Sequence, residues 1–191
     1  MTTKTVGSFS FTPLEIPDVI LVRPTRHGDE RGFFQEWYRS EAFAPGGIDA
    51  TFVQDNLARS SSGVLRGLHY QLPPVPQGKL VGVLRGRIFD VAVDLRRGAP
   101  SYGRWVGRTL DAEVGEALWV PPGFAHGYAV LSETADVFYK VTAPYRPELD
   151  RGVRWDDPEI GIEWPLRDPV VSGRDREQPL LSEAENPFTL D

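Results

Sequence analysis

His69, Lys79, His126 and Tyr139 can move protons or hold negative charge, and all four fall in or beside strand-like runs. An imidazole exchanges a proton near neutral pH, a phenol donates one and binds anions, and an ammonium steadies an oxyanion. His69 sits in Gly63-Val64-Leu65-Arg66-Gly67-Leu68-His69-Tyr70-Gln71, a run that otherwise reads as a buried strand. Strict alternation puts Leu65, Gly67, His69 and Gln71 on one face and Arg66, Leu68 and Tyr70 on the other. Arg66 would then point away from His69, unless a bulge at Gly67 re-aims one of them. The bland alternative is a core histidine bonded to a backbone carbonyl.

The elements that must position these groups are short strands. Phe9–Phe11 and Val19–Val22 are early strands, and Arg26–Tyr38 is a polar turn feeding an aromatic strand. Ser40–Phe43 reads as a short helix capped by Ser40 and stopped by Pro45-Gly46-Gly47. Phe52–Leu57 is a strand, and Ser60-Ser61-Ser62-Gly63 turns the chain into the His69 run. Strands follow at Lys79–Leu84, Arg87–Leu95, Trp105–Leu110, on both sides of Pro121-Pro122-Gly123, and at Val137–Val141. Beyond Pro144, prolines and charges dominate in a segment expected to lie over the core. This pattern predicts a mainly β chain, a sandwich or barrel with short helices near the ends, forming one domain over residues 1–191.

Composition removes several functions. A net charge of −6 argues against general nucleic-acid binding, which rests on a concentrated positive surface. The absence of cysteine rules out disulfides, thiolate metal sites and a cysteine nucleophile. Nowhere do about 18 consecutive apolar residues occur, so no membrane span is expected and the chain reads as soluble and cytoplasmic. Gln54, Asn56, Arg66, His69, Lys79, His126 and Tyr139 are too many polar residues for the strands of a purely structural sandwich. Together they predict a polar, cationic cavity for an anionic ligand.

Two histidines on separate strands resemble the metal-binding cupins, whose first motif supplies a His-x-His pair. Here that motif reads His69-Tyr70-Gln71, and the missing imidazole leaves too few ligands, so no metal is expected. Without one, His69 has to serve as acid or base, with Tyr139 as its natural partner.

A set of separated motifs is more specific. Asp29-Glu30-Arg31-Gly32-Phe33-Phe34, Gln54-Asp55-Asn56, Arg66-Gly67-Leu68-His69-Tyr70-Gln71, Gln77-Gly78-Lys79 and Pro122-Gly123-Phe124-Ala125-His126-Gly127 resemble the dTDP-4-dehydrorhamnose 3,5-epimerase family. Tyr139-Lys140, Tyr145 and Trp155-Asp156-Asp157-Pro158 extend the resemblance from about Leu14 to Leu181. It implies a cupin-type jelly roll without cofactor or catalytic metal. It also implies a homodimer acting on a dTDP-4-keto-6-deoxy sugar. By resemblance His69 is the general base, Tyr139 the proton donor, and Asp175, in Val171-Ser172-Gly173-Arg174-Asp175, the residue that orients the base. Arg31, Glu36, Gln54, Asn56, Arg66, Lys79 and His126 would line the substrate site and Tyr145 would stack on thymine. Arg174 replaces the family's usual lysine and Asp150 its usual glutamate, which alters donor geometry and reach at both contacts. The expected reaction inverts C3 and C5 of dTDP-4-dehydro-6-deoxy-D-glucose to give dTDP-4-dehydro-L-rhamnose. The alternatives are a mono-epimerase acting at C3 or C5, a non-catalytic carbohydrate-binding cupin, and a metal-dependent cupin.

Overall fold

Alternating apolar and polar residues between glycine- and proline-rich turns do fold as short strands. The computed structural model describes residues 2–190. In chain order it contains β1 (Lys4–Val6), β2 (Phe9–Pro13), β3 (Ile20–Pro24), β4 (Arg26–Asp29) and β5 (Gly32–Gln35). Then come α1 (Ser40–Gly46), β6 (Gln54–Ser61), β7 (Val64–Gln71), β8 (Lys79–Arg85), β9 (Arg87–Asp94) and β10 (Trp105–Asp111). The chain continues through β11 (Ala117–Val120), β12 (Phe124–Val130), β13 (Thr134–Val141), a 3-10 turn (Pro147–Leu149), β14 (Asp150–Gly152), β15 (Val170–Val171) and α2 (Gly173–Arg176).

Two sheets face each other, as the strand pattern predicts for a sandwich, in the jelly-roll arrangement that the family resemblance implies. One runs β1-β2-β3-β11-β8-β13-β6 and the other β10-β9-β12-β7-β14, with β15 added parallel to β7. Between them Val81, Val83, Ile88, Leu118, Phe124, Val130 and Val137 form an apolar core. The outer face of the second sheet is covered by the C-terminal segment, where Ile160, Leu181 and Phe188 pack on Leu68, Tyr70, Val91 and Val93. On the outer face of the first sheet, Phe9, Phe11 and Phe43 meet edge to face, at ring separations of 5.4 and 5.3 Å from Phe43. Such pairs contribute about 0.5–1.5 kcal/mol each beyond area burial. Among the described residues no helix is long and apolar enough to cross a membrane.

Three local expectations need correction. Ser40 is the first helical residue and not the cap: Arg39 occupies the N-cap without a side-chain capping bond, and the helix runs through Pro45 to end at Gly46, with Gly47 as its C-cap at φ 102°. Proline's fixed φ suits the helix, and one absent N–H costs little in so short an element. Ser60 and Ser61 belong to β6, so the turn is confined to Ser62-Gly63.

The third correction concerns β7, where strict alternation fails and the bulge is real. Tyr128 pairs with Arg66 and His126 pairs with His69, so Gly67 and Leu68 together oppose Gly127. Leu65 and Leu68 consequently both face outward, Leu65 against Val171 and Leu68 against Val153, while Arg66 and His69 both turn inward. Glycine is required at Gly67, which has φ +134° and whose added Cβ would meet Gly127 Cα at 2.5 Å.

Candidate active site

The inward faces of β6, β7, β8, β12 and β13 turn polar toward one end of the sandwich. A cleft of about 490 Å³ opens there, lined by Arg66, His69, Lys79, His126, Tyr128, Tyr139, Arg174 and Asp175, with Val64, Val170 and Val171 as an apolar flank. A second cavity of about 300 Å³ shares His69, Lys79 and Tyr139 and adds Gln54, Asn56, Tyr145 and Asp150. Imidazole and phenol therefore face a common space, as proton transfer between them and one ligand requires.

His69 is presented by β7 just beyond the bulge. Its Nε2 lies 2.7 Å from Asp175 Oδ1, and the Gly67 N–H donates to Asp175 Oδ2 at 3.3 Å. Asp175 is held in turn by α2, because its N–H donates to Ser172 Oγ, the N-cap of that turn, at 3.0 Å. Burial penalises the charged carboxylate, but the His69 hydrogen bond and charge, with the hydrogen bonds of Gly67 and Ser172, outweigh it and hold Asp175 below the usual carboxylate range. An ionised Asp175 directs a ring N–H to itself and leaves Nδ1 of His69 to act on a ligand.

Lys79, at the start of β8, is 9% exposed and donates to the His69 carbonyl at 3.2 Å. Burial pulls its ammonium down to about 8, an effect that Asp150 and Asp90 partly offset. His126 Nε2 lies 2.8 Å from Asp90 Oδ1. Burial lowers the His126 pKa despite that carboxylate, so the ring is neutral at pH 7. Burial first, then Tyr128, raises the Tyr139 pKa, so the phenol keeps its proton for donation.

The outer rim is tied together. Asp150 Oδ2 accepts from Tyr145 Oη at 2.9 Å and from Arg174 Nη2 at 2.6 Å, so the aspartate and arginine that depart from the family pattern contact each other. Gln54 Nε2 donates to Asn56 Oδ1 at 2.9 Å and its Oε1 accepts from the Tyr145 N–H at 3.0 Å. Gln71, not anticipated as a site residue, anchors the same loop by accepting from Arg146 N–H at 2.8 Å and donating to the Pro144 carbonyl at 3.1 Å.

Arg31 and Glu36 are not brought to the cleft within one chain. Arg31 sits on the β4–β5 hairpin, a separate two-stranded sheet, and pairs with Asp29. Glu36 accepts from Ser8 Oγ and pairs with Arg39 at 3.5 Å. Sequence reasoning missed Asp90, Ser60 and Tyr128. Asp90 is fully buried in β9, where a lone aspartate amid Ile88, Val91 and Ala92 was the available signal. Among the described residues, no three His, Asp or Glu side chains converge as a metal site would need.

The family model described as dTDP-4-dehydrorhamnose 3,5-epimerase matches residues 13–183. A protein of that name from Pseudomonas aeruginosa is 52% identical over 176 residues, covering 91% of this chain and 97% of the relative. A dTDP-4-dehydrorhamnose 3-epimerase from Streptomyces niveus is 40% identical over 173 residues, covering 90% of this chain and 84% of the relative. Among solved structures, the dTDP-6-deoxy-D-glucose-3,5-epimerase of Legionella pneumophila in complex with dTDP-4-keto-L-rhamnose superposes with a TM-score of 0.91. It is 43% identical, and the match covers 96% of this chain and all of the other. With that agreement across nearly the whole length, the chain belongs to the dTDP-4-dehydrorhamnose 3,5-epimerase family.

Proposed function

We propose that this protein inverts C3 and C5 of dTDP-4-dehydro-6-deoxy-D-glucose to give dTDP-4-dehydro-L-rhamnose. The observation that carries the reading is the His69–Asp175 pair opening on the same cleft as Tyr139 and Lys79. A C4 ketone acidifies the hydrogens on C3 and C5, yet their removal is slow unless a positioned base takes them while the enolate oxygen is stabilised. His69 is the base, Asp175 fixes its tautomer, Lys79 holds the oxyanion, and Tyr139 returns a proton to the opposite face. Inversion needs donor and base on different sides of the ring, which is why two groups are required. Arg66 and Arg174 suit the diphosphate, since planar guanidinium forks pair with its oxygens. Gln54, Asn56, His126, Tyr145 and Asp150 complete the substrate contacts.

Incubation of the 4-keto sugar nucleotide in deuterium oxide tests this directly. Deuterium at both C3 and C5 is expected. Label at C3 alone would favour the second reading, a 3-epimerase, which rests on the Streptomyces niveus relative that carries that name.

Arg31 and Glu36 join the site in a homodimer, in which the β4–β5 hairpin of one copy reaches the cleft of the other. Phe33 and Phe34 on that hairpin are 61% and 71% exposed and would supply the apolar contact. Light scattering should give the mass of two chains, and a fully active monomer would contradict this arrangement.

A further inference from the structure

Ser60 reads in sequence as part of a turn, yet it lies within β6 at 4% exposure. Arg66 Nε donates to Ser60 Oγ at 2.9 Å, and Tyr128 Oη lies 3.4 Å from the same oxygen. A guanidinium can only donate, so Ser60 must accept there. The hydroxyl proton of Ser60 then needs an acceptor, and among the described residues the one within reach is Tyr128 Oη. If Tyr128 donated instead, the serine proton would be buried without a partner, an arrangement that folded chains avoid. Donation therefore runs from Arg66 to Ser60 to Tyr128. Among the described residues no other partner is present for the phenolic proton of Tyr128, a residue that lines the cleft, so that proton is available to a ligand there.

We propose that Tyr128 binds substrate by donating its hydroxyl proton to an oxygen of the sugar, and that Ser60 is the positioning residue that fixes the direction of that donation. The inference rests on the sugar-nucleotide reading above. Tyr128 is assigned to the sugar end because its ring lies 6.4 Å from that of His126, the cross-strand register partner of the base His69. Burial raises its pKa, so the proton is retained through the neutral range. The residue thus adds a fixed donor beside Tyr139 and holds the ring between base and acid.

Calorimetric titration of Tyr128→Phe with the 4-keto sugar nucleotide and with bare dTDP tests this, alongside KM and kcat from the deuterium assay. Affinity for the sugar nucleotide should fall, and KM rise, by about tenfold, with kcat within about threefold and dTDP affinity unchanged. Ser60→Ala should weaken both ligands, because Arg66 loses its anchor as well, and Ser60→Thr should restore them. Sugar-nucleotide affinity within twofold of the wild type in Tyr128→Phe would overturn the proposal. So would an equal loss for dTDP, which would place the hydroxyl at the nucleotide end. An unchanged thermal midpoint confirms that each variant is folded. Should the wild type bind the sugar nucleotide without exchanging deuterium, the epimerase reading fails while the calorimetric comparison still decides the role of Tyr128.

Discussion

Two histidine–aspartate pairs stand side by side in this cleft, and they are built for different work. His69 and His126 are register partners across β7 and β12, and each turns Nε2 to a carboxylate at nearly the same distance, 2.7 and 2.8 Å. The surroundings differ. The His69 side chain is 29% exposed and Asp175 is anchored by Gly67 and Ser172, whereas His126 is 8% exposed and Asp90 Oδ2 has no hydrogen-bond partner among the described residues. A base must reach substrate and bear a transient charge, which the first pair permits. Burial denies that charge to the second, leaving a neutral ring whose Nε2 is committed to Asp90 and whose Nδ1 can accept a hydrogen bond from a ligand hydroxyl. The same residue pair is suited to proton transfer or to a fixed contact according to how much water and how many extra donors surround it.

Substituting the two aspartates breaks or sharpens that contrast most strongly. Asp175→Asn should lower deuterium exchange by about 10³-fold, since the base loses its tautomer control. Asp90→Asn should cost less than about tenfold and act mainly on KM. Equal losses in kcat would mean that both imidazoles move protons.

A smaller effect is expected from pH. Lys79 lines the cleft with both histidines, and its positive charge is present below about 8 and lost as pH rises through that value. Turnover should therefore decline above about pH 8 in the wild type. Lys79→Arg, weaker overall, should lack that decline because a guanidinium stays charged. Stability follows the opposite sign: between about 8 and the ordinary 10.5 the unfolded chain binds more protons than the folded one, so the cost of burying Lys79 is recovered across that window.

The strands and most of the cleft were legible because alternation survives wherever one face packs on a core. Val81, Lys79, Val137 and Tyr139 all point inward as period 2 demands. What alternation could not give was the phase change at Gly67, which depends on the close approach of Gly127 from another strand. Ser60 was misread because a run of serines resembles a turn locally, while the pairing of β6 with β13 extends the strand through it. Asp90 stood out only as a lone aspartate in an apolar run, because the partner that gives it meaning is His126, 36 residues away. Arg31 and Glu36 carried a site signature that the geometry of one chain does not express.

The assignment of His69 as base is tested most directly by deuterium wash-in with His69→Ala bound to the 4-keto sugar nucleotide. Loss of exchange at both C3 and C5, with dTDP affinity kept within a few-fold of the wild type, is the predicted result. Undiminished exchange in that variant would contradict it.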